Sequence, residues 1–256
     1  MSERLYADDT GDSEDDGVLV LLHGFAGTHG VWDGVRAALP PGLRIIAYDL
    51  PGHGQSLSYP SAGKARATAG AVLNDLAERG VNRFHLAGHS FGGAVAVLAG
   101  LAAPGKLASL TLCAPGGFGS QINGAALAAR AAARSETEMR AALTGMFGMQ
   151  MRLPSLLVEQ AMRLSSLPGQ REKLIEISSL IASGDRQGAF PRDRLAVLPA
   201  PVHVVWGTLD AVLPIRQADH LPDGFVLHRL EGAGHMLPEE APEALARIMA
   251  QVIAEI

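Results

Sequence analysis

The chain has 256 residues, 48% of them hydrophobic, and a formal net charge of −5. That is the balance of a soluble globular protein with a sizeable core, in one large domain or two small ones. No basic stripe or arginine-rich tail is present, which argues against a nucleic-acid partner, and no apolar run is long enough to span a bilayer.

The N-terminus lacks an apolar signal region, so a cytoplasmic protein without a membrane partner is expected. Residues 1–16 hold Asp8, Asp9, Asp12, Glu14, Asp15 and Asp16 against a lone Arg4. At most a short edge strand over Arg4 to Ala7 fits there, followed by a charged, solvated turn. Val18 to Leu22 is a continuous apolar run, the pattern of a parallel strand buried on both faces. It leads into His23-Gly24-Phe25-Ala26-Gly27, a loop able to present backbone N–H groups to an anion. A second strand, Leu43 to Tyr48, ends in Asp49-Leu50-Pro51-Gly52-His53-Gly54, where Asp49 and His53 read as turn-stabilising groups.

Ala62 to Arg79 has helical spacing, with Val72, Leu73 and Leu76 on one face and Gly80 as its C-cap. Phe84-His85-Leu86-Ala87 then runs as a strand into Gly88-His89-Ser90-Phe91-Gly92 and an Ala/Val-rich helix from Ala94 to Ala102. This is the Gly-x-Ser-x-Gly pattern, in which a serine sits on a strained strand-to-helix turn with its hydroxyl exposed. The strand Leu107 to Cys113 follows, and the one cysteine, Cys113, reads as a buried structural thiol within it. It gives way to the loop Ala114 to Gly119. Strands alternating with helices indicate an α/β fold with a largely parallel sheet.

From 120 to 195 the alternation stops, and helical patterns are broken at Pro154, Pro168-Gly169, Gly184 and Pro191. Residues 1–119 and 196–256 therefore form the expected core domain, and 120–195 a helical cap over its active edge. The cap carries Met139, Met146, Phe147, Met149, Met151 and Met162, which serve either as its own core or as an adaptable apolar pocket. Its ten Lys/Arg and seven Asp/Glu make it slightly basic, as an anionic substrate or a merely solvated face would require. The sheet resumes at Pro201 to Trp206, followed by Gly207-Thr208-Leu209-Asp210. A last strand, Phe225 to Leu230, leads into Gly232-Ala233-Gly234-His235-Met236, and a closing helix runs from Pro242 to Ile256. No metal-ligand spacing appears, and no cofactor is expected.

Ser90, Asp210 and His235 each stand in a loop just after a strand, where sites form in open α/β sheets. A serine hydroxyl needs an adjacent imidazole to take its proton, and a carboxylate holds that imidazole in the right tautomer. The backbone N–H groups of Phe25 and Phe91 are the candidate oxyanion donors. His89 either lines the pocket or packs the turn, and Met146, Phe147 and Met236 are further pocket candidates. The remaining histidines, His23, His53, His85, His203, His220 and His228, read as structural.

Taken together, His-Gly-Phe, Asp-Leu-Pro-Gly-His-Gly, Gly-His-Ser-Phe-Gly-Gly, Trp-Gly-x-x-Asp and Gly-Ala-Gly-His resemble the α/β-hydrolase superfamily over residues 17–256. Leu112 to Asn123, Ser183 to Gln187 and His228 to Met236 are similar to the hydrolase-like domain of acetoin dehydrogenase acetyltransferase components. That domain is usually preceded by a lipoyl domain. This sequence begins almost directly at the hydrolase core, so a stand-alone hydrolase is the expectation. The resemblance implies an α/β-hydrolase fold and an acyl-enzyme serine hydrolase of a small or medium carboxylic ester or thioester; the sequence does not choose between a monomer and a homodimer. The alternatives are hydrolysis of a carbon–carbon bond in a diketone-like ring-cleavage product, and acyl transfer between a separate lipoyl carrier and coenzyme A. Carbon–carbon hydrolases usually have Asn before the serine, where this chain has His89.

Overall fold

Val18–Leu22 holds five consecutive apolar side chains, all buried, and it becomes the second strand of a sheet covered on both faces. The computed structural model describes residues 4–11, 17–149 and 153–256; Met151 lies outside the described residues. Within them a 7-stranded sheet contains β1 (Ala7–Thr10), β2 (Val18–Leu22), β3 (Ile45–Tyr48), β4 (Phe84–His89), β5 (Leu107–Cys113), β6 (Val202–Gly207) and β7 (Phe225–Leu230). Their spatial order is β1-β3-β2-β4-β5-β6-β7; β1 is antiparallel to β3 and every other pairing is parallel. Successive strands move outward in opposite directions from the β2–β4 pair. The loops leaving those two neighbours therefore diverge and open a crevice, the topological switch point at which α/β sheets bind ligands.

Helices α1 (Asp33–Ala38), α2 (Ala65–Glu78) and α3 (Phe91–Ala102) connect the first strands. Five more lie between β5 and β6: α4 (Gly124–Ala132), α5 (Glu136–Thr144), α6 (Ser155–Ser166), α7 (Gln170–Ile181) and α8 (Arg192–Ala196). Pro154, Gly169 and Pro191 stand at the N-caps of α6, α7 and α8, where their backbone geometry starts a helix rather than breaks one. The chain closes with α9 (Leu237–Glu240) and α10 (Pro242–Ala254). Leu245, Met249 and Val252 of α10 are buried, while Ile248 and Ile253 pack partly exposed against the same core. Trp32, Tyr48, Leu21, Leu22, Ile46, Leu86 and Leu110 are fully buried there, each contributing about 1.5–3 kcal/mol by leaving water. No helix among the described residues is long and apolar enough to cross a membrane.

Two local expectations change. The acidic N-terminal segment is not a solvated turn at Asp8 and Asp9, because β1 begins at Ala7, where the expected edge strand was to end. Asp8 meets Arg36 of α1, and Asp9 accepts from both Arg44, just before β3, and Arg79, just after α2, so these arginines draw the carboxylates into the sheet edge. The helix after Ser90 starts at Phe91 rather than Ala94, because Ser90 alone makes the turn.

Candidate active site

Ser90 closes β4 with φ 52° and ψ −116°, a backbone that L-residues seldom adopt. A Cβ on Gly88 would meet the Gly92 carbonyl, and one on Gly92 would meet the carbonyls of Leu22 and His23. The turn is thus wedged between its own helix and the end of β2, and only glycine fits on either side. Ala26 and Ala114, in the loops after β2 and β5, share positive φ with Ser90. Non-glycine residues in this region are uncommon, and such strained residues cluster where neighbouring structure over-determines them.

The Ser90 hydroxyl lies 3.0 Å from His235 Nε2, and His235 Nδ1 lies 2.8 Å from Asp210 Oδ2. Asp210 Oδ2 also accepts from Trp206 Nε1 at 3.2 Å, and Oδ1 accepts from the N–H groups of Val212 and Leu213, each at 2.8 Å. With every lone-pair direction occupied, the carboxylate cannot rotate, and its bond to Nδ1–H leaves Nε2 of His235 as the acceptor facing Ser90. The loop carrying His235 is itself clamped. Glu240 of α9 accepts from the N–H groups of Gly148, Gly234 and Met236, and the His235 N–H donates to Met146 at 2.8 Å.

The loop after β2 lies against the same serine. A Cβ on Gly24 would come within 3.1 Å of Ser90 Cβ and 2.8 Å of His89 Nδ1. Two buried histidines brace this loop. His23 Nε2 accepts from Leu50 N–H at 2.9 Å, and His53 Nε2 accepts from Ala26 N–H at 3.2 Å. Burial lowers the pKa of His23, and it pushes His53 down to about 3, so that ring stays an uncharged acceptor. The N–H groups of Phe25 and Phe91 take part in no hydrogen bond among the described residues. Asp49 accepts from the N–H groups of His29 and Gln55, and from the His29 ring at 2.7 Å.

The loops after β2, β4 and β7 face a cavity of about 530 Å³. Phe25, His89, Ser90, Met146, Phe147, His235 and Met236 line it; Asp210 stands behind His235, and Phe91 lies outside the wall. His89 is both pocket wall and brace: its Nε2–H donates to the His235 carbonyl at 2.7 Å, and burial holds its pKa at about 3. Of the remaining methionines, Met139 is buried and Met162 partly buried in a separate small core of α5 and α6, and Met149 is exposed. Cys113 is fully buried, and burial pushes its thiol pKa up. Arg130 and Glu239 also line the cavity, and sequence reasoning missed both. The available signal was Arg130 standing alone among alanines in α4. Among the described residues no cluster of His, Cys, Asp and Glu is arranged to hold a metal.

A family model described as "Alpha/beta hydrolase family" matches residues 19–248. The "Dihydrolipoyllysine-residue acetyltransferase component of acetoin cleaving system" of Pseudomonas putida is 38% identical over 232 residues, covering 90% of this chain and 62% of that protein. The component of the same name from Cupriavidus necator is 31% identical over 218 residues, covering 85% of this chain and 58% of its own length. The chain thus spans about 60% of the length of these curated relatives. Among solved structures, a 2-hydroxy-6-oxo-6-phenylhexa-2,4-dienoate hydrolase from Rhodococcus superposes with TM-score 0.84 at 22% identity, covering 98% of this chain and 94% of that one. At that identity the likeness is one of fold.

Proposed function

Because the chain belongs to the alpha/beta hydrolase family, we propose that it is a serine hydrolase cleaving a small or medium carboxylic ester or thioester through an acyl-enzyme. The observation that carries this reading is the unbroken run of hydrogen bonds from Ser90 through His235 to Asp210, opening into a largely apolar cavity. In this mechanism Ser90 Oγ attacks the substrate carbonyl carbon while His235 Nε2 takes its proton, and Asp210 stabilises the imidazolium. The oxyanion forms against the N–H groups of Phe25 and Phe91; each such donor is typically worth about 10²–10³ in rate. His235 returns the proton to the leaving oxygen or sulfur, and the acyl group stays on Ser90. Water deprotonated by His235 then releases the acid. Residues 120–195 act as the cap that encloses the acyl chain.

Hydrolysis of p-nitrophenyl butyrate and labelling by a fluorophosphonate test this assignment. Ser90→Ala is expected to abolish labelling and lower turnover by about 10⁴-fold or more while the protein stays folded; retained labelling would refute it. A second reading, acyl transfer between a lipoyl-type thiol and coenzyme A, is favoured by the 38% identity to a component named as a dihydrolipoyllysine-residue acetyltransferase. Acetyl-dihydrolipoamide supplied with coenzyme A distinguishes the two: a transferase yields acetyl-coenzyme A, a hydrolase yields acetate.

A further inference from the structure

Helix α4 carries one basic side chain among its alanines, and it turns that side chain inward. Arg130 is 4% exposed and stands in the wall of the cavity that holds Ser90 and His235. Its Nη1 donates to Ser165 Oγ at 3.2 Å and its Nη2 to the Ala26 carbonyl at 3.3 Å. Both acceptors are neutral. A guanidinium has five N–H donors, and among the described residues the others have no partner and no carboxylate lies within ion-pair distance of Arg130. Removing such a charge from water without an anion is costly, because the surroundings replace neither its hydration nor its counter-ion.

Glu239 of the same wall does not supply that counter-ion, since no ion pair joins the two. Glu239, four residues after His235, lines the same cavity, and its Oε2 is shielded from solvent with no hydrogen-bond partner. Burial, with Glu240 adding to it, pushes the Glu239 carboxyl up to about 8, whereas Arg130 is lowered only to about 10. Burial thus favours the neutral form of Glu239, and no ion pair joins it to Arg130. The other charged residues of the wall, Asp33 and Arg163, are exposed. Leu127, Leu143 and Leu164 complete an apolar surround in which one buried positive charge attracts strongly and matches a single negative one.

We propose that Arg130 is a specificity-determining residue that binds a carboxylate on the substrate, so that the cavity takes half-esters or half-thioesters of dicarboxylic acids. The planar fork of a guanidinium accepts a carboxylate in two parallel bonds, and the protonated Glu239 can donate a further one. The chemistry at the other end of such a substrate rests on the serine-hydrolase reading; the binding does not.

The test separates the two. Calorimetric titration of Ser90→Ala with monomethyl glutarate and with dimethyl glutarate compares one carbon frame with its far carboxylate free or masked. The half-ester is expected to bind about 30-fold more tightly or better, the size of one desolvated charge-assisted contact. Equal affinity for the two would overturn the proposal without any change at Arg130. Adding Arg130→Gln to the Ser90→Ala protein should remove the preference, and Arg130→Lys should keep part of it. A loss of affinity for both esters alike would instead make Arg130 a brace for the Ala26 loop, and the subsite would be refuted. In the wild type the same preference should appear in kcat/KM, chiefly through KM. If neither ester is turned over while the binding preference holds, the hydrolase reading fails and the carboxylate site stands.

Discussion

Asp210 receives four N–H donors on one carboxylate, and one of them is the ring of His235. Asp210→Asn keeps the volume but offers an amide N–H to Nδ1, which favours the tautomer with the proton on the wrong nitrogen. We expect kcat on p-nitrophenyl butyrate to fall by about 10⁴-fold with little change in melting temperature. A second prediction concerns His29. Its hydrogen bond to Asp49 raises its pKa above 6.5, and Asp49 in turn stays low because those hydrogen bonds outweigh the burial that works against them. A raised histidine contributes stability that is complete below pH 6.5 and is lost as pH rises through its folded value. Wild type should therefore melt further above His29→Gln at pH 6 than at pH 9, which thermal denaturation at the two pH values checks. Ser90, Asp210 and His235 were legible from sequence because each ends a strand within a short Gly-containing loop. Arg130 and Glu239 were not, since nothing local tells an inward arginine from a solvated one; the packing of α4 over Ala26 decides that.

The elbow shows how one element constrains another. Gly92 lies in the first turn of α3 against the end of β2, and its missing Cβ leaves room for the carbonyls of Leu22 and His23. Those atoms belong to backbone held in the sheet and cannot move aside. Gly92→Ala should thus destabilise by roughly 2–4 kcal/mol, at the upper end for overpacking, read as a lower urea midpoint. The buried strands were readable because continuous apolar runs admit few other structures. The edge was harder. Aspartates disfavour strands, and only the arginines at 36, 44 and 79, distant in sequence, explain why β1 begins at Ala7 and includes Asp8 and Asp9.

For the whole molecule, the alternation of strand and helix was enough to specify a parallel sheet, and the strand order then opens a crevice between the β2 and β4 loops. How α4, α5 and α6 supply part of the cavity wall lay beyond sequence reading, because their apolar faces serve two purposes. Met139 and Leu143 both belong to a small core of α5 and α6, yet Leu143 also forms part of the cavity wall. The left-handed backbone at Ser90 has a cost that every folded copy carries whether or not substrate is present. Glycine would relieve it; alanine, which keeps the Cβ, would not. Ser90→Gly should therefore be more heat-resistant than wild type by roughly 1 kcal/mol, a gain of about 2–4 °C in Tm, whereas Ser90→Ala should melt close to wild type. Scanning calorimetry of the three proteins checks this. Selection for thermal endurance alone would place glycine at this position; under the proposed mechanism the serine is a compromise between durability and reactivity.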